Sequence, residues 1–223
     1  MNNGHLIITI DGPAGAGKST VAKELAKLLH ISYLDTGAMY RALTLKALRQ
    51  SVNLEDENAL AELAKKTKIE FADDGQGGLN ILLDGKNVSE DIRSPEVTNN
   101  TFYAARAPNV REILVEWQKA MGEKHSIVGE GRDLGTVVFP QATYKFYLDA
   151  DVNERCERRI RELKAQGKVF DEAQLRQDLI ERDQKDFSRA ASPLKKANDM
   201  IVVDSTGLTA EQTSLKILKI IKK

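Results

Sequence analysis

The chain has 223 residues, of which 41% are hydrophobic and 30% charged, a mixture typical of a soluble globular domain with a buried core. Lys plus Arg and Asp plus Glu both total 33, so the formal charge is zero. This balance argues against general binding to nucleic acid or to an anionic membrane, because both need a basic excess.

The N-terminal residues, MNNGHLIITI, have no basic segment, and their apolar run is too short for a signal peptide or a membrane span. The single cysteine, Cys156, cannot form an internal disulfide. We therefore expect a cytoplasmic protein, with a monomer as the simplest assembly.

Short apolar runs alternate with longer segments of helical periodicity. Such alternation predicts an α/β fold in which a parallel sheet is covered by helices on both faces. The five predicted strands are residues 6–10, 31–34, 126–129, 144–148 and 200–203.

Residues 67–92 break this alternation. They contain two or three strand-like pieces joined by DDGQGG and DGKN, which are hairpin turn residues. We expect a small antiparallel insert here.

Helix starts are marked in two ways. Asp171 and Thr209 each stand three residues before a glutamine, as a capping box requires. Pro95 and Pro108 stand where helices could begin.

The segment GPAGAGKS fits the phosphate-loop pattern G-x-x-x-x-G-K-[ST], and it lies between an apolar strand and a helical run. Its backbone N–H groups and the following helix N-terminus favour an anion, Lys18 would reach the β and γ phosphates, and Ser19 would offer its hydroxyl to Mg²⁺. The predicted ATP-binding residues are Gly12, Pro13, Ala14, Gly15, Ala16, Gly17, Lys18, Ser19 and Thr20.

The rest of the sequence separates classes of phosphate-loop protein. It has no N-K-x-D motif for reading guanine, and the third strand ends in GEGRD, where an arginine follows the acidic residue. Arginines that gather phosphates from two substrates are typical of a small kinase.

Three stretches supply these arginines. DTGAMYR and GEGRDLGTVVFP follow strands, so Arg41, Arg132 and Asp133 should face the phosphate loop. If ERDQKDFSR is helical, one helix face carries Arg182, Asp186 and Arg189, which could either bind an anion or form a solvated ion-pair stripe. NERCERRIRE adds Arg155, Arg158 and Arg159, which could form a lid over the transferring phosphoryl or a basic surface helix.

In this order, GPAGAGKST, DTGAMYR, the hairpin insert, VTNN, PNVR, GRDLGTVVFP, ERDQKDFSRAASPL and VVDSTGLT resemble the bacterial cytidylate kinases over nearly the whole chain. The resemblance implies a single phosphate-loop kinase domain with a five-stranded parallel core, a nucleotide-monophosphate-binding region that carries the insert, and a short helical lid. The implied ranges are a core of about 1–35, 108–150 and 190–223, a monophosphate-binding region of about 36–107 and a lid of about 151–189.

The resemblance also implies roles, with ATP and CMP or dCMP as substrates and Mg²⁺ arriving with ATP. Asp133 would accept a hydrogen bond from the cytosine amine while Arg111 donates to the ring. The implied CMP-binding residues are Thr36, Arg41, Thr101, Arg111, Arg132, Asp133, Arg182, Asp186 and Arg189, and the implied catalytic residues are Lys18, Arg132, Arg155, Arg159 and Arg189. Phe102 stands where the family commonly has serine, and either Thr101 replaces that serine or the phenyl ring stacks.

Two other functions fit part of the pattern. A small phosphate-loop kinase could act on another nucleoside monophosphate or on a metabolite such as shikimate. A nucleotide-dependent binding module would bind ATP and signal to a partner without releasing ADP to an acceptor.

Overall fold

The computed structural model describes residues 4–73 and 79–222. The described chain forms two compact units. The first unit comprises the residues up to Leu34 together with those from His125 onward, and the second unit is Asp35–Lys124. The division of the chain into core and lid stays a prediction.

The strands of the described residues are, in chain order, β1 (Ile7–Asp11), β2 (Ser32–Asp35), β3 (Ile69–Asp73), β4 (Leu79–Leu83), β5 (Lys86–Asn87), β6 (Ile127–Gly131), β7 (Tyr144–Asp149) and β8 (Ile201–Asp204). Five of them form a parallel sheet in the order β2-β6-β1-β7-β8. This sheet confirms the predicted fold class, and each of its strands lies within two residues of the predicted bounds. In the central strand β1, Asp11 lies beside Gly131 and Tyr147.

The helices are α1 (Lys18–Leu29), α2 (Thr36–Arg49), α3 (Glu57–Lys65), α4 (Pro95–Arg106), α5 (Pro108–Lys124), α6 (Val152–Ala165), α7 (Glu172–Ser188) and α8 (Ala210–Ile221). Two short turns add to them, a 3₁₀ turn at Asp91–Arg93 and a π turn at Leu134–Val138. Within the described ranges, no helix combines the length and the apolar character that a membrane crossing needs.

The predicted helix starts are confirmed at all four positions. Helices begin at Pro95 and Pro108, and Thr209 forms the full reciprocal capping box. Asp171 makes only half of its box: it accepts from the Gln174 N–H, whereas the Gln174 side chain donates to Asp178 one turn further on. The exposed Asp178 carboxylate is a nearby acceptor at i+4, so it takes the amide that a capping box would turn backward.

The core of the first unit lies between β1, β6 and β7 and the helices α1 and α8. Its β1 side chains are Ile8 and Ile10, both fully buried, and Leu25 and Ile217 pack against the same cluster from the two helices. Because strands covered on both faces bury successive side chains, β1 reads as an unbroken apolar run.

The second unit contains the predicted antiparallel insert as the three-stranded sheet β3-β4-β5. Asp84 and Gly85 join β4 to β5 with φ angles of 49° and 81°, the positive values that a type I′ hairpin turn requires. The other predicted turn, DDGQGG, begins at the end of β3 and otherwise lies outside the described residues.

Asp11, the last residue of β1, is fully buried. Its Oδ1 accepts from the Leu134 N–H at 2.9 Å and its Oδ2 from the Gly135 N–H at 2.8 Å. Burial raises the pKa of this carboxyl to about 7, because the desolvation cost of its charge exceeds the help from the two N–H donors. The nearby Asp133 also raises the pKa, and Lys18 lowers it.

The raised pKa predicts a pH dependence of stability. An acid whose pKa is higher in the folded than in the unfolded protein binds more protons when folded, so the free energy of unfolding should fall as the pH rises from about 4 to about 7. Asp11→Asn has no charge to desolvate, so its stability relative to the wild type should improve between pH 5 and pH 8. Urea unfolding at four pH values measures this. Asp178→Asn, at an exposed helix position, is the control, and a parallel pH profile for Asp11→Asn and the wild type would contradict the prediction.

Candidate active site

The phosphate loop connects β1 to α1 and is built around its glycines. Gly12, Gly15 and Gly17 have φ angles of 154°, 75° and 90°. A Cβ at Gly12 would lie 2.0 Å from the Leu148 carbonyl oxygen, so no side chain fits at the start of the loop. These glycines therefore let the backbone curl back on itself, as a loop that turns N–H groups toward an anion must do.

Lys18 begins α1 and is buried beneath this loop. Its Nζ donates to the Pro13 carbonyl at 2.8 Å. Burial is the largest of the effects that together lower the pKa of Lys18 to about 7. The Arg132 charge acts in the same direction, and Glu130 opposes both. The lysine is therefore placed where a phosphate would supply the countercharge that it lacks.

Ser19 contacts the acidic end of β6. Its Oγ donates to Glu130 Oε1 at 2.7 Å, and the Tyr33 hydroxyl lies 3.5 Å from the same oxygen. Glu130 was not among the predicted site residues, although its position at the end of a buried apolar strand is a signal that could have identified it. In the described part of the chain, no cluster of three or more His, Cys, Asp or Glu side chains is arranged for a metal.

Arg132 follows β6 directly and is held by a carboxylate from α7. Its Nε donates to Asp186 Oδ2 at 2.7 Å, and its Nη1 to the Gly131 carbonyl at 3.2 Å. Burial by itself would lower the pKa of Arg132, but Asp186 and Glu130 outweigh it, so the net pKa is raised. Burial likewise acts to raise the pKa of Asp186, while Arg132 and Arg182 lower it below its usual value. This guanidinium is thus charged and fixed in orientation.

Arg189 lies one residue beyond the end of α7, so it does not share the predicted helix face with Arg182 and Asp186. Helix α7 ends at Ser188, and Arg189 has extended backbone angles that turn its buried side chain inward. Its Nε donates to the Ser192 carbonyl at 2.7 Å and its Nη2 to Asp133 Oδ1 at 3.4 Å. The first unit therefore brings Arg189 to the predicted base-reading carboxylate, while Arg182 stays on the exposed side of α7.

Arg155 joins α6 and α7 to the phosphate loop. It pairs with Asp183 at 2.5 Å and donates to the Ala14 carbonyl at 2.8 Å, while Asp183 accepts from the Ala14 N–H at 3.0 Å. Both polar backbone groups of one loop residue are thereby fixed. The sequence analysis did not identify Asp183, because nothing local marks a bond between residues 169 positions apart.

The other two arginines of the predicted lid, Arg158 and Arg159, differ in what they contact. Arg158 donates to the carbonyls of Ala16, Ser205 and Leu208, so it ties the phosphate loop to the segment after β8. Arg159 pairs with Glu162 on the helix surface. The described contacts therefore place Arg155 and Arg158, but not Arg159, against the loop.

In the second unit, Asp35 organises the start of α2. Its Oδ1 accepts from the Ala38 N–H at 2.8 Å, and its Oδ2 pairs with Arg41 at 3.0 Å. Thr36, the first residue of the helix, is buried. Asp35, the first residue of the DTGAMYR motif, is thus the N-cap of α2. It also orients Arg41, the last residue of the motif, because the two side chains meet across the first turns of the helix.

Arg111 and Thr101 belong to neighbouring helices of this unit. Arg111 is 4% exposed, donates to the Ala105 carbonyl at 3.3 Å and lies over the Tyr40 ring at 5.6 Å. The Thr101 hydroxyl donates to the Val97 carbonyl of its own helix at 2.6 Å. Arg111 is therefore oriented by a cation–π contact and a carbonyl.

Phe102 packs beside Tyr103 with an edge-to-face geometry and a centroid separation of 6.2 Å. The Arg106 guanidinium lies over both rings, at 5.4 Å and 5.0 Å. The Phe102 ring thus contributes to an aromatic–arginine cluster on α4.

The comparisons with known proteins cover nearly the entire chain. The family model described as "Cytidylate kinase" matches residues 8–223. A cytidylate kinase from Desulforamulus reducens is 49% identical over 98% of both chains, and one from Caldanaerobacter subterraneus is 46% identical over 100% of this chain and 97% of its own. A solved structure of an uncharacterized protein from Eubacterium ventriosum shares the fold, with a TM-score of 0.51 at 15% identity over 98% of this chain and 99% of its own. Together the family model and these relatives show that the chain belongs to the cytidylate kinase family.

Proposed function

We infer that this chain transfers the γ-phosphoryl group of ATP to CMP or dCMP, which yields CDP or dCDP and ADP. The observation that carries the inference is the pair of cations at the phosphate loop, the buried Lys18 and the half-buried Arg132, in a chain of the cytidylate kinase family. Two facing anions can approach one another only where such cations offset their repulsion.

ATP is assigned to the phosphate loop. Residues 12–20 would bind its phosphates, chiefly through the backbone N–H groups that follow Ala14 and through the N-terminus of α1. Lys18 would exchange its bond to the Pro13 carbonyl for the β and γ oxygens, because a charge-assisted bond to a phosphate is stronger than one to a neutral carbonyl.

Magnesium is assigned to Ser19 and Glu130. Their oxygens lie 2.7 Å apart beside the loop, and hydroxyl and carboxylate oxygens are the ligands that Mg²⁺ prefers. When bound with ATP, the ion supplies positive charge to the β and γ phosphates. The protein's own contribution is to fix these two oxygens at the end of β6.

The acceptor phosphate is assigned to Arg41, Arg132 and Arg189. At an effective dielectric near 20, each pair of like charges 4 Å apart costs about 4 kcal/mol, which these guanidinium groups would offset. Their planar forks also hold phosphate oxygens in fixed geometry. Asp186, with Arg182, is assigned to the sugar hydroxyl.

The base is assigned to Asp133 and Arg111. A carboxylate accepts from the exocyclic amine of cytosine, whereas uracil presents an oxygen at the same place and would be repelled. Arg111 would donate to the ring acceptors. Thr36 and Thr101 are assigned to further contacts with the nucleotide.

The transfer itself needs no covalent enzyme intermediate. The acceptor oxygen is already anionic, and the transition state is loose, so positioning and charge stabilisation supply the catalysis. Arg155 and Arg159 are assigned to the transferring phosphoryl. Arg155 already contacts the loop, whereas Arg159 would first have to leave Glu162.

A panel of acceptors tests the function. ADP release from ATP should depend on CMP or dCMP and be much weaker with UMP, AMP or shikimate. Lys18→Ala should lower kcat about 10²- to 10³-fold in the folded protein, because its charge acts on the transferring group. Lys27→Ala, at an exposed position of the same helix, is the control. ATP binding without acceptor-dependent ADP release would indicate a binding module instead, and preference for another acceptor would indicate a different small kinase.

Replacement of Asp133 tests base reading. Asp133→Asn places an amide where the carboxylate stood, so it removes the repulsion toward the uracil oxygen. We expect the ratio of kcat/KM for CMP to that for UMP to fall about 10- to 100-fold. An unchanged ratio, with Asp178→Asn as the control, would remove Asp133 from this role.

A further inference from the structure

Asp133 holds a position at which aspartate ordinarily caps its own helix. It directly precedes the π turn Leu134–Val138, but its side chain accepts no hydrogen bond from that turn. An aspartate at such a position usually accepts from the first N–H groups, which have no partner within the helix. Instead, the Asp133 carboxylate is directed to Arg189.

Asp11, at the end of β1, caps this turn instead. Its two oxygens accept from the Leu134 and Gly135 N–H groups, the first two donors of the turn, at 2.9 Å and 2.8 Å. These residues are more than 120 positions apart in sequence. The first two donors of the turn are thus satisfied without the Asp133 side chain.

The turn also approaches β1 closely. A Cβ at Gly135 would lie 2.9 Å from Thr9 Oγ1 and 2.8 Å from the end of Met200. Thr9 and Asp11 are two positions apart on β1, so they face the turn from the same side of the strand. The backbone that follows Asp133 is therefore held by bonds and by packing at once.

We propose that Asp11 is a positioning residue for the acceptor nucleotide: it caps the turn after Arg132 and Asp133, so that the Asp133 carboxylate is directed to Arg189 and the base rather than to its own turn. The proposal rests on the function inferred above. Asp11 touches no substrate and acts through Asp133. Its loss should therefore affect CMP rather than ATP.

The phosphate loop is held in place by other hydrogen bonds. Both backbone groups of Ala14 are held by Asp183 and Arg155, and the Ala16 carbonyl accepts from Arg158. None of these bonds involves Asp11. A change confined to the Asp11 carboxylate should therefore leave ATP binding close to normal.

The test compares Asp11→Asn with Thr9→Val. Asp11→Asn keeps the shape of the side chain but sets an NH₂ group against a backbone N–H, whereas Thr9→Val keeps the strand packing and both Asp11 bonds. The Thr9 hydroxyl has no hydrogen-bond partner among the described residues, so its removal is mild. For Asp11→Asn we expect KM for CMP to rise about tenfold and the preference for CMP over UMP to fall, while KM for ATP changes less than about twofold. Thr9→Val should match the wild type in all three.

Gly135→Ala provides a second route if Asp11→Asn does not fold, because its methyl group would lie 2.9 Å from Thr9 Oγ1, so that the turn or the side chains that face it must shift. It should raise KM for CMP without an equal effect on ATP. Equal losses for both nucleotides, or no change in either, would overturn the proposal. A wild-type enzyme that does not phosphorylate CMP at all would instead overturn the inferred function, so the two failures are distinguishable.

Discussion

The ion pair between Arg132 and Asp186 is the contact on which the candidate site depends. Removing two charges from water costs several kcal/mol per ion, and pairing repays this cost only in part, so such a pair is poor evidence of a gain in stability. Its effect is to hold a charged guanidinium, only 16% exposed, in one orientation beside the phosphate loop. Arg189 and Asp133 form a second, longer pair in the same unit, at 3.4 Å. The candidate site thus holds the guanidinium groups of Arg132 and Arg189 in fixed orientations through the protein's own carboxylates, and charges placed in advance need little rearrangement during a reaction.

Lys18 is held differently from these arginines. Its Nζ donates to a carbonyl rather than to a carboxylate, and burial keeps its pKa low. A guanidinium retains its charge in such surroundings, because its pKa is far above neutrality, whereas an ammonium group depends on its neighbours. The charge of the lysine at the loop would therefore respond to a bound phosphate, whereas the charge of the arginines would stay constant. This division suits a reaction in which negative charge moves from one oxygen to another.

Sequence reasoning predicted what is encoded locally. The strands, the phosphate loop and the helix starts at Pro95 and Pro108 follow from periodicity and from the conformational demands of glycine and proline, which act within a few residues. It could not predict that Asp183 would bind Ala14, or that Asp11 would cap a distant turn, because a hydrogen bond between remote residues leaves no local pattern. Arg189 illustrates the boundary between the two cases. Its spacing from Asp186 suggested a common helix face, but the helix ends one residue earlier, and tertiary contacts with Ser192 and Asp133 set its direction.

A chain with zero net charge can still bind highly charged anions. What matters is where the cations and carboxylates of the candidate site are held, not how many of each the whole chain contains. Glu130 contacts Ser19, Asp186 contacts Arg132 and Asp183 contacts Arg155, so each carboxylate holds a defined group. Without these carboxylates the cations would repel one another, and the phosphate loop would lose hydrogen bonds that connect it to α6 and α7. A purely basic site would attract any polyanion, whereas cations that already have partners favour a ligand whose oxygens match their geometry. Selectivity for a particular pair of phosphates would therefore depend on the carboxylates as much as on the arginines.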